Sequence, residues 1–252
     1  VIITQKKLLK FGYANSKLEG QAIATFGLPA GRTCPGARTC HAFYDLKKKK
    51  LVDGPHQEVR CFAASLEALR PNVRDSNSHN LAMLQEAATT DNMARLINLS
   101  LPSRFWSAIR VHWSGDFFSE DYFLAWLSVA GCNKERMFYG YTTSVDILAR
   151  YRSILPDNFR FVASRGGKFD HMIDAHGLRS SRIVFHPDEA GDLPIDHDDT
   201  LPRNLDVKHF CLLLHGQGAA GSNHNKATAR LRREGIKYSY SRGKTTNPHP
   251  VP

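Results

Sequence analysis

From residue 108 onward the chain switches repeatedly between two hydrophobic periods. Ile109-Arg-Val-His-Trp113 is rich in β-branched and aromatic residues and reads as a strand. After Ser114-Gly115-Asp116 the spacing lengthens to that of a helix, placing Tyr122, Trp126 and Val129 on one face, and Ser119 ahead of Glu120 and Asp121 supplies an N-cap with an acidic first turn. The unit recurs. Further strands are predicted over 136–141, 159–163, 182–185 and 210–214, and helices over 145–154, 168–176 and 225–234. Upstream, 21–26 reads as a short strand, 28–50 as a loop of Gly, Pro, Cys and basic residues, and 57–69 and 79–99 as helices.

Strands alternating with helices of this length imply right-handed βαβ crossovers. The expected fold class is α/β, a partial or complete parallel βα barrel of TIM-like form. It is read as a single domain over 1–244 carrying the cysteine loop at 28–50, with a disordered tail at 245–252. In such folds ligands meet the loops after the strand C-termini. Those loops are polar here: Ser114-Gly115-Asp116, Thr142-Thr143-Ser144, Ser164-Arg-Gly-Gly167, His186-Pro-Asp188 and His215-Gly216-Gln-Gly218.

Composition narrows the class. No apolar run approaches the roughly 20 residues of a spanning helix, so no membrane partner is expected. Val1 to Lys7 lacks the apolar stretch of a signal peptide, and the missing initiator Met suggests a trimmed start. The expected location is cytoplasmic. Net charge is +10, with basic runs at Lys47–Lys50 and Arg230–Arg233 and further cations at Lys237, Arg242 and Lys244. That surplus admits DNA, RNA or a phosphorylated small molecule as partner, against the plain reading of solvated faces.

Five cysteines, an odd number, argue against a secreted disulfide framework and for metal ligands or reactive thiols. Cys34-Pro-Gly-Ala-Arg-Thr-Cys40 sits in a loop flexible enough to aim both sulfurs at one point, and Arg32 and Arg38 are placed to lower the thiol pKa values. Cys61, near a helix start, is the natural third ligand. The fourth position falls to Cys211, Cys132, a histidine or an exogenous group. Cys211 and His215 share a face if their strand runs unbroken. Gly216-Gln-Gly218-Ala-Ala-Gly221 has the G-x-G-x-x-G form, but lacks a following βαβ unit, so Gly216 and Gly218 are expected to edge a cofactor or make a tight turn. Asp116, His186 and His215 are the candidate general acids and bases, with His112 pointing into the site or the core. The acidic stretch from Asp188 to Asp199 reads as a solvated loop.

Three runs carry a resemblance: Leu28-Pro-Ala30 through Cys34, Cys40 and Tyr44; Val111-His-Trp-Ser-Gly-Asp-Phe-Phe-Ser119; and Phe138-Tyr-Gly-Tyr-Thr-Thr-Ser144. Over roughly residues 14–190 the chain resembles the phage family labelled gene product 88. The layout is also remotely similar to radical S-adenosylmethionine enzymes. That likeness implies an iron–sulfur cluster, most simply 4Fe-4S, on Cys34, Cys40 and Cys61, with S-adenosylmethionine as a cofactor. Ser114, Gly115, Asp116, Thr142, Thr143 and Ser144 would face it. Phe43 stands where the superfamily places its third cysteine, so Cys61 substitutes, or the cluster serves no radical chemistry, or it has been lost. The expectation is therefore a phage-type iron–sulfur protein, an enzyme on nucleic acid or a small ligand, or a non-catalytic relative. The alternatives are a basic nucleic-acid-binding protein with structural zinc or no metal, and a metal-dependent hydrolase using His112, Asp116, His186 and His215.

Overall fold

The computed structural model describes residues 8–13, 18, 20–56 and 58–237. The predicted tail at 245–252, the start at 1–7, and Arg242 and Lys244 lie outside the described residues. Every strand read from the sequence is present, each within about two residues of its expected start. They are β2 (Ile23–Gly27), β5 (Ala108–Ser114), β6 (Met137–Thr142), β7 (Phe159–Ser164), β8 (Ser180–Val184) and β10 (His209–Leu213). These six lie side by side in chain order and pair in parallel. Two short edge strands flank them, β1 (Phe11–Gly12) antiparallel to β2 and β9 (Ile195–Asp196) parallel to β10.

The molecule is thus α/β with a mostly parallel central sheet. A complete barrel is not formed among the described residues, because β1 pairs only with β2 and β9 only with β10. The loop expected over 28–50 also contains more order than its composition signals. A separate hairpin, β3 (Ala42–Asp45) and β4 (Lys50–Asp53), rises from it.

Helices α1 (Phe62–Leu69), α2 (Pro71–Ala87) and α3 (Thr90–Ser100) precede β5. The predicted 79–99 helix is really two: Ala88 caps α2 at φ 61°, and the Thr89 hydroxyl caps α3 by accepting from Asn92 N–H. Pro71 opens α2 at its first turn, where the missing N–H costs nothing. Next come α4 (Glu120–Cys132), capped by Ser119 as its sequence predicts, α5 (Val145–Tyr151), α6 (Asp170–Ala175) and α7 (Asn223–Arg233).

Alternation along the strands gives the sheet two unlike faces. Phe26, Ile109, Val111, Phe138, Phe159 and Phe161 enter one core with Ile97 of α3, Phe123 and Trp126 of α4, Leu148 of α5 and Ile173 of α6. The opposite face carries Arg110, Tyr141, Ser181, Ile183 and Leu212, which line a cavity opening at the strand C-termini. At the other end of that face the acidic stretch is solvated only in part, with Asp188, Asp192 and Asp198 exposed as expected. Asp196 and Asp199 are buried, and Asp199 Oδ2 meets Arg110 Nη1 at 2.9 Å and accepts from Tyr139 O–H at 3.3 Å. No helix of the described residues is long and apolar enough to cross a membrane.

Trp126 is the largest fully buried side chain, its ring 5.4 Å from Phe26 and 5.8 Å from Phe138. Trp126→Ala is expected to cost about 3–5 kcal/mol in urea unfolding. A loss below about 1 kcal/mol would contradict this packing.

Candidate functional site

The cysteine loop leaves β2 at Gly27 and lies across the C-terminal ends of β5, β6 and β7. Leu28 N–H donates to Ser114 O at 2.9 Å, Thr39 N–H to Gly166 O at 3.0 Å and Lys168 N–H to Gly36 O at 2.9 Å. The Lys168 ammonium donates to Pro35 O at 2.7 Å. This seating requires two glycines. A Cβ on Gly36 would overlap the Thr143 carbonyl, and one on Gly115 (φ +79°) would come within 2.5 Å of Thr33 Oγ1. The loop is thereby fixed to the ends of three different strands.

Cys34, Cys40 and Cys61 all line the resulting cavity, which measures about 270 Å³. Cys61 is the N-cap of α1, and the Ala64 and Ala63 N–H groups favour its thiolate. Burial nonetheless raises all three thiols, Cys40 to about 12, and the nearby charges of Asp116 and of the other cysteines raise Cys34 and Cys40 further. The depression expected from Arg32 and Arg38 is not realised: both are exposed, and Arg32 donates to Tyr44 O at 3.2 Å. Among the described residues no three His, Cys, Asp or Glu side chains stand close enough to hold a single metal ion.

Asp116 lies on the cavity wall, fully enclosed. Its Oδ1 accepts from Thr142 Oγ1 at 2.6 Å and Phe117 N–H at 2.8 Å. Its Oδ2 accepts from Thr143 N–H and Thr143 Oγ1, both at 2.7 Å. Burial raises its pKa and these hydrogen bonds oppose the rise. The four donors fill the acceptor sites of a carboxylate, so Asp116 anchors the loop after β6 and has no site left for a proton or a ligand cation. Sequence reasoning missed Glu67, whose buried Oε1 accepts from Asn77 Nδ2 at 2.7 Å, Ala30 N–H at 3.1 Å and Ser114 Oγ at 3.2 Å. It joins α1, α2, β5 and the root of the cysteine loop. A buried carboxylate on a short helix leaves no periodic trace that would have revealed it.

His112 sits in a bulge. Val111 pairs with Phe26 and Ser114 with Gly27, so His112 and Trp113 are extra residues, and His112 takes φ +64°. Its Nε2 lies 2.9 Å from Tyr122 Oη, while Nδ1 has no hydrogen-bond partner and the side chain lines the cavity. Burial raises the Tyr122 phenol pKa and keeps it neutral, so a neutral phenol and a neutral imidazole share this hydrogen bond.

The remaining predicted residues divide. Ser114, Gly115, Thr142, Thr143 and His215 line the cavity; the His215 ring stands 4.8 Å from that of Phe62. Five others do not line it. Ser144 turns away, its Oγ donating to Phe117 O at 3.0 Å. Cys211 alternates with the cavity-lining Leu212 and is buried in a second core with Val184 and Leu231, while β10 stops at Leu213, so the unbroken strand assumed through His215 does not exist. His186 Nε2 bonds Glu234 Oε2 at 2.8 Å, tying the loop after β8 to the end of α7. Gly216 faces Phe62, and Gly218 is wedged against Asn225 N and His224, so the glycine run makes a packed turn into α7.

Fold and site together define an α/β protein of mostly parallel sheet, with three half-buried thiols facing one ligand-sized cavity at the strand C-termini. The chain belongs to the Gene product 88 family, whose model matches residues 3–234. It is 32% identical over 131 residues to the Gene 88 protein of Mycobacterium phage L5, covering 42% of this chain and 53% of that protein. The Gene 88 protein of Mycobacterium phage D29 is 30% identical over 131 residues, with the same coverage. The chain therefore spans about half the length of the curated relatives it matches. No solved structure matches.

Burial lowers the His112 pKa from 6.5 to about 3. The unfolded chain takes up this proton below 6.5 and the folded one does not, so its contribution is complete above 6.5 and lost as pH falls towards 3. Between those values wild type should lose up to about 1.4 kcal/mol per pH unit more than His112→Asn, whose side chain tolerates positive φ. Urea midpoints measured against pH check this; superimposable acid limbs would contradict it.

Proposed function

We propose that this chain is an iron–sulfur protein built on a partial βα barrel of the radical S-adenosylmethionine type. Cys34, Cys40 and Cys61 would be the thiolate ligands. One observation carries the reading: three thiols, two from a clamped loop and one from a helix N-terminus, face a single cavity at the C-terminal ends of parallel strands. Six parallel strands in chain order, with helices packed against one face and a cavity on the other, suit a partial barrel.

Thiolates are the donors that iron–sulfur clusters use. A cluster binds its thiolates to different metal atoms and so accepts a wider spacing, whereas no triple of ligands here closes on a single ion among the described residues. Raised thiol pKa values describe the protein without metal; a bound cation favours the thiolate. The cluster would supply one-electron chemistry to whatever occupies the cavity, and 4Fe-4S with S-adenosylmethionine is the pairing the resemblance favours.

The chain's own contribution is positional. Thr142 and Thr143 hold Asp116, which fixes the loop after β6 beneath the cysteine loop. His112 contributes its ring to the cavity wall, and Trp113, Ile183, Leu212 and Leu214 make that wall apolar. The saturated Asp116 does not fit the role of holding a ligand amino group. A hydrolytic centre of His112, Asp116, His186 and His215 draws less support, since His186 is committed to Glu234 outside the cavity.

The full chain, purified anaerobically and reconstituted with iron and sulfide, should retain both and turn brown. Cys34→Ala, Cys40→Ala and Cys61→Ala should each lose most of the iron, and Cys211→Ala should keep it. A wild type that binds no iron, or a Cys61→Ala variant that binds as much as wild type, would contradict the assignment. Formation of 5′-deoxyadenosine from S-adenosylmethionine by the reduced protein tests the cofactor separately.

A further inference from the structure

The positive surplus is not spread evenly. Elsewhere on the described surface several arginines meet acids: Arg104 with Glu135 at 2.9 Å, Arg60 with Asp53 at 2.6 Å, Arg165 with Asp174 at 2.5 Å and Arg230 with Glu234 at 2.8 Å. The β3–β4 hairpin differs in carrying four exposed cations in succession. Lys47, Lys48, Lys49 and Lys50 are all exposed at its tip, and among the described residues none of them makes an ion pair within 4.0 Å.

The hairpin's two acids are both engaged: Asp53 pairs with Arg60, and Asp45 closes the turn. The Asp45 carboxylate accepts the Lys47 and Lys48 N–H groups at 2.9 and 3.0 Å, which sets the turn and holds the lysines at a fixed tip. Arg32 and Arg38, also exposed, extend the positive margin along the cysteine loop. Beside this margin His41 and Phe43 present half-buried rings two residues apart, their centroids 6.2 Å from each other. Tyr44, on the other face, is covered by the Arg74 guanidinium at 4.4 Å.

Regularly placed cations next to partly exposed rings match the recognition of unpaired bases, in which phosphates meet lysines and bases stack on rings. We propose that the β3–β4 hairpin is a binding surface for single-stranded nucleic acid, with Lys47–Lys50 contacting phosphates and Phe43 and His41 stacking bases. The strand then passes along the cysteine loop at the mouth of the cavity. This gives Phe43 a role at the position where the remote resemblance leads one to look for a cysteine. The inference does not depend on a bound cluster.

The test is fluorescence anisotropy of the full chain with labelled single-stranded DNA and RNA oligonucleotides, titrated across salt concentrations. Replacing all four lysines with Ala should weaken binding at low salt and reduce the slope of log affinity against log salt by up to about 3, at about 0.7 per phosphate contact. Phe43→Leu should weaken binding about tenfold with the slope unchanged. If that variant proves unstable in thermal melts, His41→Ala reads the same stacking surface. An unchanged slope in the four-lysine variant would overturn the proposal. So would loss of binding only when Arg230, Arg232 and Arg233 are replaced, or binding of phosphatidylserine vesicles with no affinity for the oligonucleotides.

Discussion

The structure depends on one close contact: the backbone of the cysteine loop resting directly on the loops that end β6 and β7. Hydrogen bonds from Thr39 to Gly166 and from Lys168 to Gly36 run both ways across that contact. The chains approach so closely that Gly36 has no room for a methyl group beside the Thr143 carbonyl. Without this seating Cys34 and Cys40 would sit on a free loop, and ordering it around a ligand would cost conformational entropy at the moment of binding. With it, that ordering is already complete in the folded chain.

The buried charges serve the same contact. Asp116 is expensive to bury alone, and its four hydrogen bonds offset that cost while locking the loop after β6. Glu67 does the same on the opposite side, fastening the helix whose N-cap is Cys61 to β5 and to the loop's root. Asp199, also buried, is paired with Arg110 at the far end of the cavity face. The ionisable groups nearest the cavity thus act largely as fasteners. The cavity-lining side chains left for a ligand include the three thiols, the His112 and His215 rings and the apolar wall.

Much of the sheet was legible in the chain because parallel strands buried between layers are short apolar runs, and all six such runs became neighbours in the expected order. The hairpin was not legible. Its four-residue strands are split by a lysine run and follow a Gly-, Pro- and Cys-rich segment, so composition outweighed their alternation. The break at Ala88 and Thr89 was hidden because neither Gly nor Pro marks it. Among the predicted residues, Cys34, Cys40, Cys61, Ser114, Gly115, Asp116, Thr142 and Thr143, picked out by type and position, come together on the cavity wall. His186 was misplaced because it lies beyond the end of β8, a boundary set by tertiary contacts, and Cys211 because nothing in the sequence says which face of β10 meets the cavity. Glu67 and the His112–Tyr122 pair exist only through contacts between distant segments.

The central claim is that the cysteine loop is clamped in the protein before anything binds to it. Native-state hydrogen exchange on the metal-free full chain tests this most directly, read at the amides of Thr39 and Lys168, which cross the contact, and of Lys47 and Lys48 at the hairpin tip. The account predicts protection at Thr39 and Lys168 close to that of the β6 and β7 amides, with the tip exchanging far faster. Exchange at Thr39 and Lys168 as fast as at the tip would contradict it.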